Sequence, residues 1–345
     1  MLNTFKKSTK MPDTTRRYLA ENEHAFSLPR EEDKAFTNCR QLRGSGIVQL
    51  ITDRIRQATI GSLRYLRAVI LEFDTVQKLS SIRQTKKGKR ALVLGNGPSL
   101  GYLSEEQFRE FQKGDGEVFA VNYWSSTHLA GVVPDYLVIS DGGTLIDHNS
   151  TLGMKIAPEY QQKNLLLFEF LNKFEQVKIV CPLVRVRELS KLFCSERITG
   201  FVDHEMRAIS SNIDPRYPRG YLSMTLLKAL AISIHMGYDK VFILGMDNSY
   251  PRDIFCDSTN TIFRLERHAG ESDTIFDQSA YYPSMDVWAQ DLFDLFNDLH
   301  RCFKGHQVLN LDPFSLTDVF RKIEHLGLFE STLGIGENGP RGKTS

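Results

Sequence analysis

Long apolar runs are missing from this chain. No stretch approaches the ~20 uninterrupted apolar residues of a bilayer crossing, so no transmembrane span is expected. Cysteine is scarce and unpatterned: Cys39, Cys181, Cys194, Cys256 and Cys302 are odd in number and form no CxxC pair. That excludes a zinc ribbon and a disulfide-stapled scaffold, and fits a reducing compartment. Net charge is also lacking, since 43 basic and 42 acidic residues leave +1. No global field draws a polyanion, and no basic stripe interleaved with aromatics replaces it, so no nucleic-acid partner is expected. The basic N-terminus (Lys6, Lys7, Lys10, Arg16, Arg17) has no apolar run behind it and is not a secretory signal. The expected location is cytoplasmic, with peripheral contact at the inner face of the membrane compatible with it. There is no DxD, and no His/Glu or His/Cys spacing of zinc type, so no metal is expected to be required.

What remains is an ordinary globular composition, long enough for one large α/β domain with appendages. Residues 1–89 read as a polar arm followed by an amphipathic helical segment (Ile47, Leu50, Ile51, Ile55, then Leu63, Leu66, Ile70, Leu71 and Phe73). The basic run Lys86 to Arg90 reads as a solvated linker. Apolar strand runs follow at 91–94, 118–121, 136–139, 165–168, 177–180, 241–244 and 308–311. Helices are expected at Leu222 to Met236, Val287 to Phe303 and Leu316 to Leu326, and Ser104-Glu105-Glu106-Gln107 is a capping box opening another. Alternating strands and helices imply an α/β, Rossmann-like, mostly parallel sheet with helices on both faces, spanning residues 90–330. Residues 331–345 read as a disordered tail.

Polar residues stand where these strands end: Asn96, Asn122, Asp141, Asp247 and Asp312. In an open parallel sheet those are carboxyl ends, where ligands bind. Gly95-Asn96-Gly97-Pro98-Ser99-Leu100 lies between strand and helix, where bare amides and the Ser99 hydroxyl are placed to meet a phosphate. It is neither a GxGxxG fingerprint nor a P-loop, and Pro98 removes one donor, so a mononucleotide phosphate is the expected ligand. Asn122 pairs donor and acceptor for a base or ribose, beside Tyr123 and Trp124. The helix behind Ser223 and Thr225 offers N-terminal amides to an anion. A polar segment of more than 30 residues follows Asp247, with Tyr250, Arg252, Arg264, Arg267, His268, Tyr281 and Tyr282, and reads as a lid. Of the nine histidines, His268, His204 and His148 fall in loops suited to a base, His128 less so, and His235 reads as structural.

Together, Gly95 to Leu100, Val121-Asn122-Tyr123, Pro134-Asp135 and Gly237-Tyr238 through Gly245-Met246-Asp247 resemble a connected set of families, over about residues 90 to 320. These are the bacterial CMP-sialic acid transferases of glycosyltransferase family 42, the motility-accessory-factor flagellin glycosyltransferases, and the 6-hydroxymethylpterin diphosphokinase MptE-like domains. The resemblance implies a nucleotide site with Asn96, Gly97 and Ser99 at phosphate or ribose and Asn122 near the nucleotide; Gly95 and Asp141 join them as candidates from their places at the strand ends. It implies a nucleotide-sugar donor, a CMP-sugar by preference, and a glycan or glycoprotein acceptor. Where the sialyltransferases carry their catalytic histidine, this chain reads Ser279-Ala280-Tyr281-Tyr282-Pro283-Ser284. The base is therefore sought by chemistry at His268, with Tyr281, Tyr282 and Asp247 as the other candidate catalytic groups. The alternatives are an MptE-like diphosphotransferase using ATP and Mg²⁺, with Asp141 and Asp247 as ligands, and a non-enzymatic nucleotide-binding protein.

Overall fold

The computed structural model describes residues 59–335 except 61, 64, 68, 71, 142–143, 146–157, 208–209 and 248–284, and for 158–160 and 285–292 the helical backbone alone. Eight strands form one sheet: β1 (Arg90–Leu94), β2 (Gly116–Val121), β3 (Tyr136–Val138), β4 (Lys178–Pro182), β5 (Ile198–Phe201), β6 (Lys240–Leu244), β7 (Val308–Asn310) and β8 (Arg321–Lys322). Their order is β5-β4-β3-β2-β1-β6-β7-β8, and every neighbouring pair is parallel. Around the sheet lie α1 (Phe73–Ser81), α2 (Glu105–Lys113), α3 (Pro158–Lys173), α4 (Val186–Leu189), α5 (Thr225–Met236), α6 (Met285–Phe303) and α7 (Phe329–Leu333). This is the expected Rossmann-like α/β architecture.

Strand alternation sends Leu92, Leu94, Val118 and Ala120 to one core and Ala91, Val93, Phe119 and Val121 to the other. Because both faces are covered, these strands read as unbroken apolar runs. α2 starts with both halves of its capping box, Ser104 Oγ accepting from Gln107 N and Gln107 Oε1 from Ser104 N. α5 ends at Gly237, whose φ of 82° is the left-handed conformation that glycine adopts without strain.

Two expected elements are corrected. Leu165 to Phe168 is helix, inside α3. Its inward positions, Asn164, Leu167, Phe170 and Leu171, recur at helical spacing, while Leu165, Leu166 and Phe168 are exposed. Pro158, the first residue of α3, is in a position a helix accepts readily. Leu316 to Leu326 is not a helix, because neighbouring segments claim its polar groups. Leu316 N donates to Asp247 O, Ile323 N to Asn310 O, and Lys322 Nζ to Ser315 O. Arg321 and Lys322 pair with β7 instead. β5 went unread because Thr199 and Gly200 interrupt its apolar pattern. A Cβ on Gly200 would stand 2.7 Å from Thr75, Leu183 and Val186 side chains, so glycine lets α1 and α4 close on this edge.

The basic run is more than a solvated linker. Lys86 and Lys89 both pair with Glu117, and the Arg90 guanidinium caps the Gly114 and Leu333 carbonyls. Before it, the described residues between 59 and 70 are helical, and Leu79 of α1 is fully buried in the core. His235 holds the Leu79 carbonyl through Nε2 at 3.0 Å, and burial lowers its pKa below the usual histidine value.

Candidate functional site

The chain leaves β1 toward β2 on one side and later returns to β6 on the other, so the strand order reverses between β1 and β6. At the carboxyl ends of these strands opens a cavity of about 390 Å³. Gly95, Asn96 and Gly97 reach it after β1, Asn122 after β2, Ser140 and Asp141 after β3, and Asp247 after β6. Ser223, Met224, Thr225 and Leu226 close it at the start of α5. Four of the five strand-end polar residues thus meet in one crevice. The fifth, Asp312, is buried and holds its own turn, accepting from Phe314 N at 2.9 Å.

The glycine loop does different work from that expected of it. Gly95 N donates to Leu244 O and Gly97 N to Gly245 O, at 2.8 and 3.1 Å, so these amides are already spent on β6 and its loop. Ser99 is fully buried. Its amide and hydroxyl donate to the two oxygens of Asp247 at 2.8 and 3.0 Å, and its Oγ accepts from Gly245 N. A Cβ on Gly97 would lie 2.0 Å from Asp247 Oδ2, and one on Gly95 2.4 Å from Gly245 O. Glycine is required here so that two loops can touch. Gly97-Pro98-Ser99-Leu100-Gly101 also spells the G-x-S-x-G of a nucleophile elbow, but a buried Ser99 bonded to Asp247 presents no attacking oxygen. Asp247 serves as the latch between the loops. Of the two carboxylates considered for Mg²⁺, only Asp141 is exposed.

Hydrogen-bonding capacity is left open on the opposite wall. Asn122 has a φ of 45°, a left-handed conformation that asparagine tolerates better than most residues. From there its Oδ1 accepts from Ser140 N, and its Nδ2 donates to Thr225 Oγ1 at 3.1 Å. Ser140 Oγ and Thr225 Oγ1 are 2.6 Å apart, and one donates to the other, so one hydroxyl proton of the pair has no acceptor within this triangle. Met224, the residue before α5, provides no side-chain cap, and Thr225 and Leu226 of the first turn line the cavity. Asn96 Oδ1 is buried with no hydrogen-bond partner among the described residues. Arg185, which the sequence reading missed, fixes the far rim: its guanidinium donates to the carbonyls of Asp141, Thr144 and Leu145. The only sequence signal for it is an arginine just past an apolar strand.

His268, Tyr281 and Tyr282 lie outside the described residues, as do His148, Tyr250, Arg252, Arg264 and Arg267. Among the described residues, no group of three His, Cys, Asp or Glu is arranged to hold a metal ion, and no helix is long and apolar enough to cross a membrane. No family model matches the chain, and no curated protein matches its sequence. Among solved structures it is similar to the sialyltransferase CstII from Campylobacter jejuni in complex with the substrate analogue CMP-3FNeuAc, at 13% identity and a TM-score of 0.36, over 69% of this chain and 86% of that one.

Proposed function

We propose that this protein is a glycosyltransferase that binds a nucleotide-activated sugar, a CMP-sugar by preference, and passes the sugar to a hydroxyl of a glycan or glycoprotein. The observation that carries the reading is the switch-point cavity, where Asn96, Asn122 and Asp141 converge on the uncapped start of α5. A helix start with free amides favours an anion, and the crevice where strand order reverses is where such sheets bind nucleotides. The motif resemblance then narrows nucleotide binding to sugar transfer. In this reading the amides of α5, with the Ser140–Thr225 hydroxyl pair, receive the phosphate, while Asn96 and Asn122 face the nucleoside. Departure of the nucleotide leaves negative charge on that phosphate, which fixed donors stabilise in the transition state.

The acceptor hydroxyl needs a base, and His268 is proposed for it, with Tyr281 and Tyr282 nearby in sequence. His268→Ala should lower turnover by about 10²–10⁴-fold and leave donor affinity in place. Parental turnover in that variant removes His268 from the mechanism.

A thermal-shift comparison of CMP, UDP, GDP and ATP, each with and without Mg²⁺, tests the site. Stabilisation by CMP without Mg²⁺ is expected. Stabilisation by ATP only in the presence of Mg²⁺ would replace this reading with the diphosphotransferase one. No shift with any nucleotide would end both.

A further inference from the structure

Lys228 lies one turn into α5 and is 1% exposed, on a helix whose neighbouring Leu226, Leu227 and Leu230 pack in the core. Its ammonium turns back toward the helix start and donates to Asp203 Oδ2 at 2.6 Å and to Ser223 Oγ at 3.0 Å. A buried ammonium is costly unless its charge and protons are met. Asp203 meets the charge and is itself held by Arg219 Nε at 2.8 Å. Apolar packing alone would be served by leucine at this position, so the lysine calls for another explanation.

The consequence falls on Ser223. A hydroxyl has one proton and two lone pairs, and an ammonium has no acceptor, so Ser223 Oγ accepts from Lys228 and its own proton is left to donate. Ser223 is exposed and lines the cavity beside the uncapped start of α5. We propose that Lys228 is a positioning residue that fixes Ser223 as a polarised hydroxyl donor to an anionic phosphate oxygen in the cavity. The inference rests on the nucleotide-site reading and extends it to an atom. The hydroxyl touches the ligand, and Lys228 acts through it from inside the protein.

Calorimetric titration of the full chain with CMP, and with cytidine as the phosphate-free probe, tests it. Ser223→Ala and Lys228→Met should each weaken CMP binding about tenfold, the scale of a hydrogen bond to a charged group, and leave cytidine binding nearly unchanged. The double variant should bind CMP about as weakly as either single variant, because both remove the same donor. A merely structural lysine would weaken CMP and cytidine together, which overturns the proposal. So do a hundredfold loss in the double variant and parental CMP affinity in either single one. If circular dichroism shows Lys228→Met unfolded, Asp203→Asn is added to remove the carboxylate left behind, and the same readouts decide. If the parent binds neither CMP nor cytidine, the site reading falls and takes this inference with it. If the parent binds CMP and the variants match it, the inference alone falls.

Discussion

The two ends of one sheet treat their polar groups in opposite ways. At the amino end, Glu117 Oε1 accepts from Lys86 and Lys89, and its Oε2 from the Tyr238 hydroxyl. Asp135 Oδ2 beside it accepts from Gln112 Nε2 and Val118 N. A cavity of about 400 Å³ opens there too, yet these groups are spent on one another. At the carboxyl end, Asn96 Oδ1 has no partner among the described residues, Ser223 is exposed, and α5 starts without a cap. Cavity size does not separate the two ends; the carboxyl end differs in holding a buried acceptor without a partner, Asn96 Oδ1, beside a helix start with no side-chain cap. Buried polar groups are normally satisfied, so the open Asn96 Oδ1 is a group that the proposed nucleotide would complete.

The sharpest way to break this contrast is to disturb the contact between the β1 and β6 loops. Gly97→Val places a methine 2.0 Å from Asp247 Oδ2 and under 3 Å from the Gly245 carbonyl. It should cost about 3 kcal/mol or more and abolish nucleotide binding through the loss of the latch. Gly101→Ala, four residues on and with nothing within 4 Å of the added carbon, should melt near the parent. Equal melting temperatures for the parent and Gly97→Val would show that the two loops are not in contact.

The amino end is broken at Glu117. Burial pushes its carboxyl up, but hydrogen bonds from Lys86, Tyr238 and Lys89 outweigh burial and hold the pKa at about 2, below the ordinary 4.5. A lowered carboxylate pKa stabilises the fold fully above pH 4.5, and the contribution fades as pH falls toward 2. Glu117→Gln should therefore cost roughly 2–3 kcal/mol at pH 7 in urea unfolding, and progressively less relative to the parent below pH 4.5. Nucleotide affinity should be unchanged at pH 7. A penalty independent of pH would mean that packing, not charge, holds this end.

Asn122→Ala probes the carboxyl end itself. It should lose roughly 1–3 kcal/mol of nucleotide binding if a buried ligand group is left unpaired. It should also loosen the Ser140–Thr225 pair that Asn122 now bridges. Calorimetry showing equal affinity for variant and parent would reduce Asn122 to a turn residue.

The sheet was legible in the sequence where burial on both faces left uninterrupted apolar runs, as in β1, β2 and β6. It was illegible where a strand is short and carries a packing glycine, as in β5, and where tertiary hydrogen bonds override a helical pattern, as in residues 316–326. For the site, strand-end Asn96, Asn122 and Asp141 were readable because position in an open parallel sheet predicts exposure at its carboxyl edge. The role of the glycines was not. Gly95 and Gly97 look like a phosphate loop in sequence, yet what they make room for is Gly245 and Asp247, residues about 150 positions away. Local sequence cannot say whether the space a glycine leaves is filled by ligand or by a distant backbone. Lys228 was equally opaque, since a lysine inside an apolar helix pattern gives no hint of which way its ammonium turns.

The finest test compares two helix starts on the carboxyl edge. α2 is closed by a complete capping box, whereas α5 begins after Met224 with no side-chain cap. Met224 has φ −118° and ψ 125°, the extended conformation in which an aspartate side chain caps the amides two and three residues on. Met224→Asp should therefore supply the acceptor that α5 lacks and stabilise the unliganded protein by about 1 kcal/mol. The same carboxylate would occupy the amides that the nucleotide phosphate is proposed to use, and would repel it. Higher melting temperature with weaker CMP binding is the expected pair of outcomes. It opposes the usual result at a binding residue, where truncation lowers affinity without strengthening the fold. A variant that melts higher and binds CMP as the parent does would place the phosphate away from α5, leaving the asparagines and Ser223 as the groups that receive it.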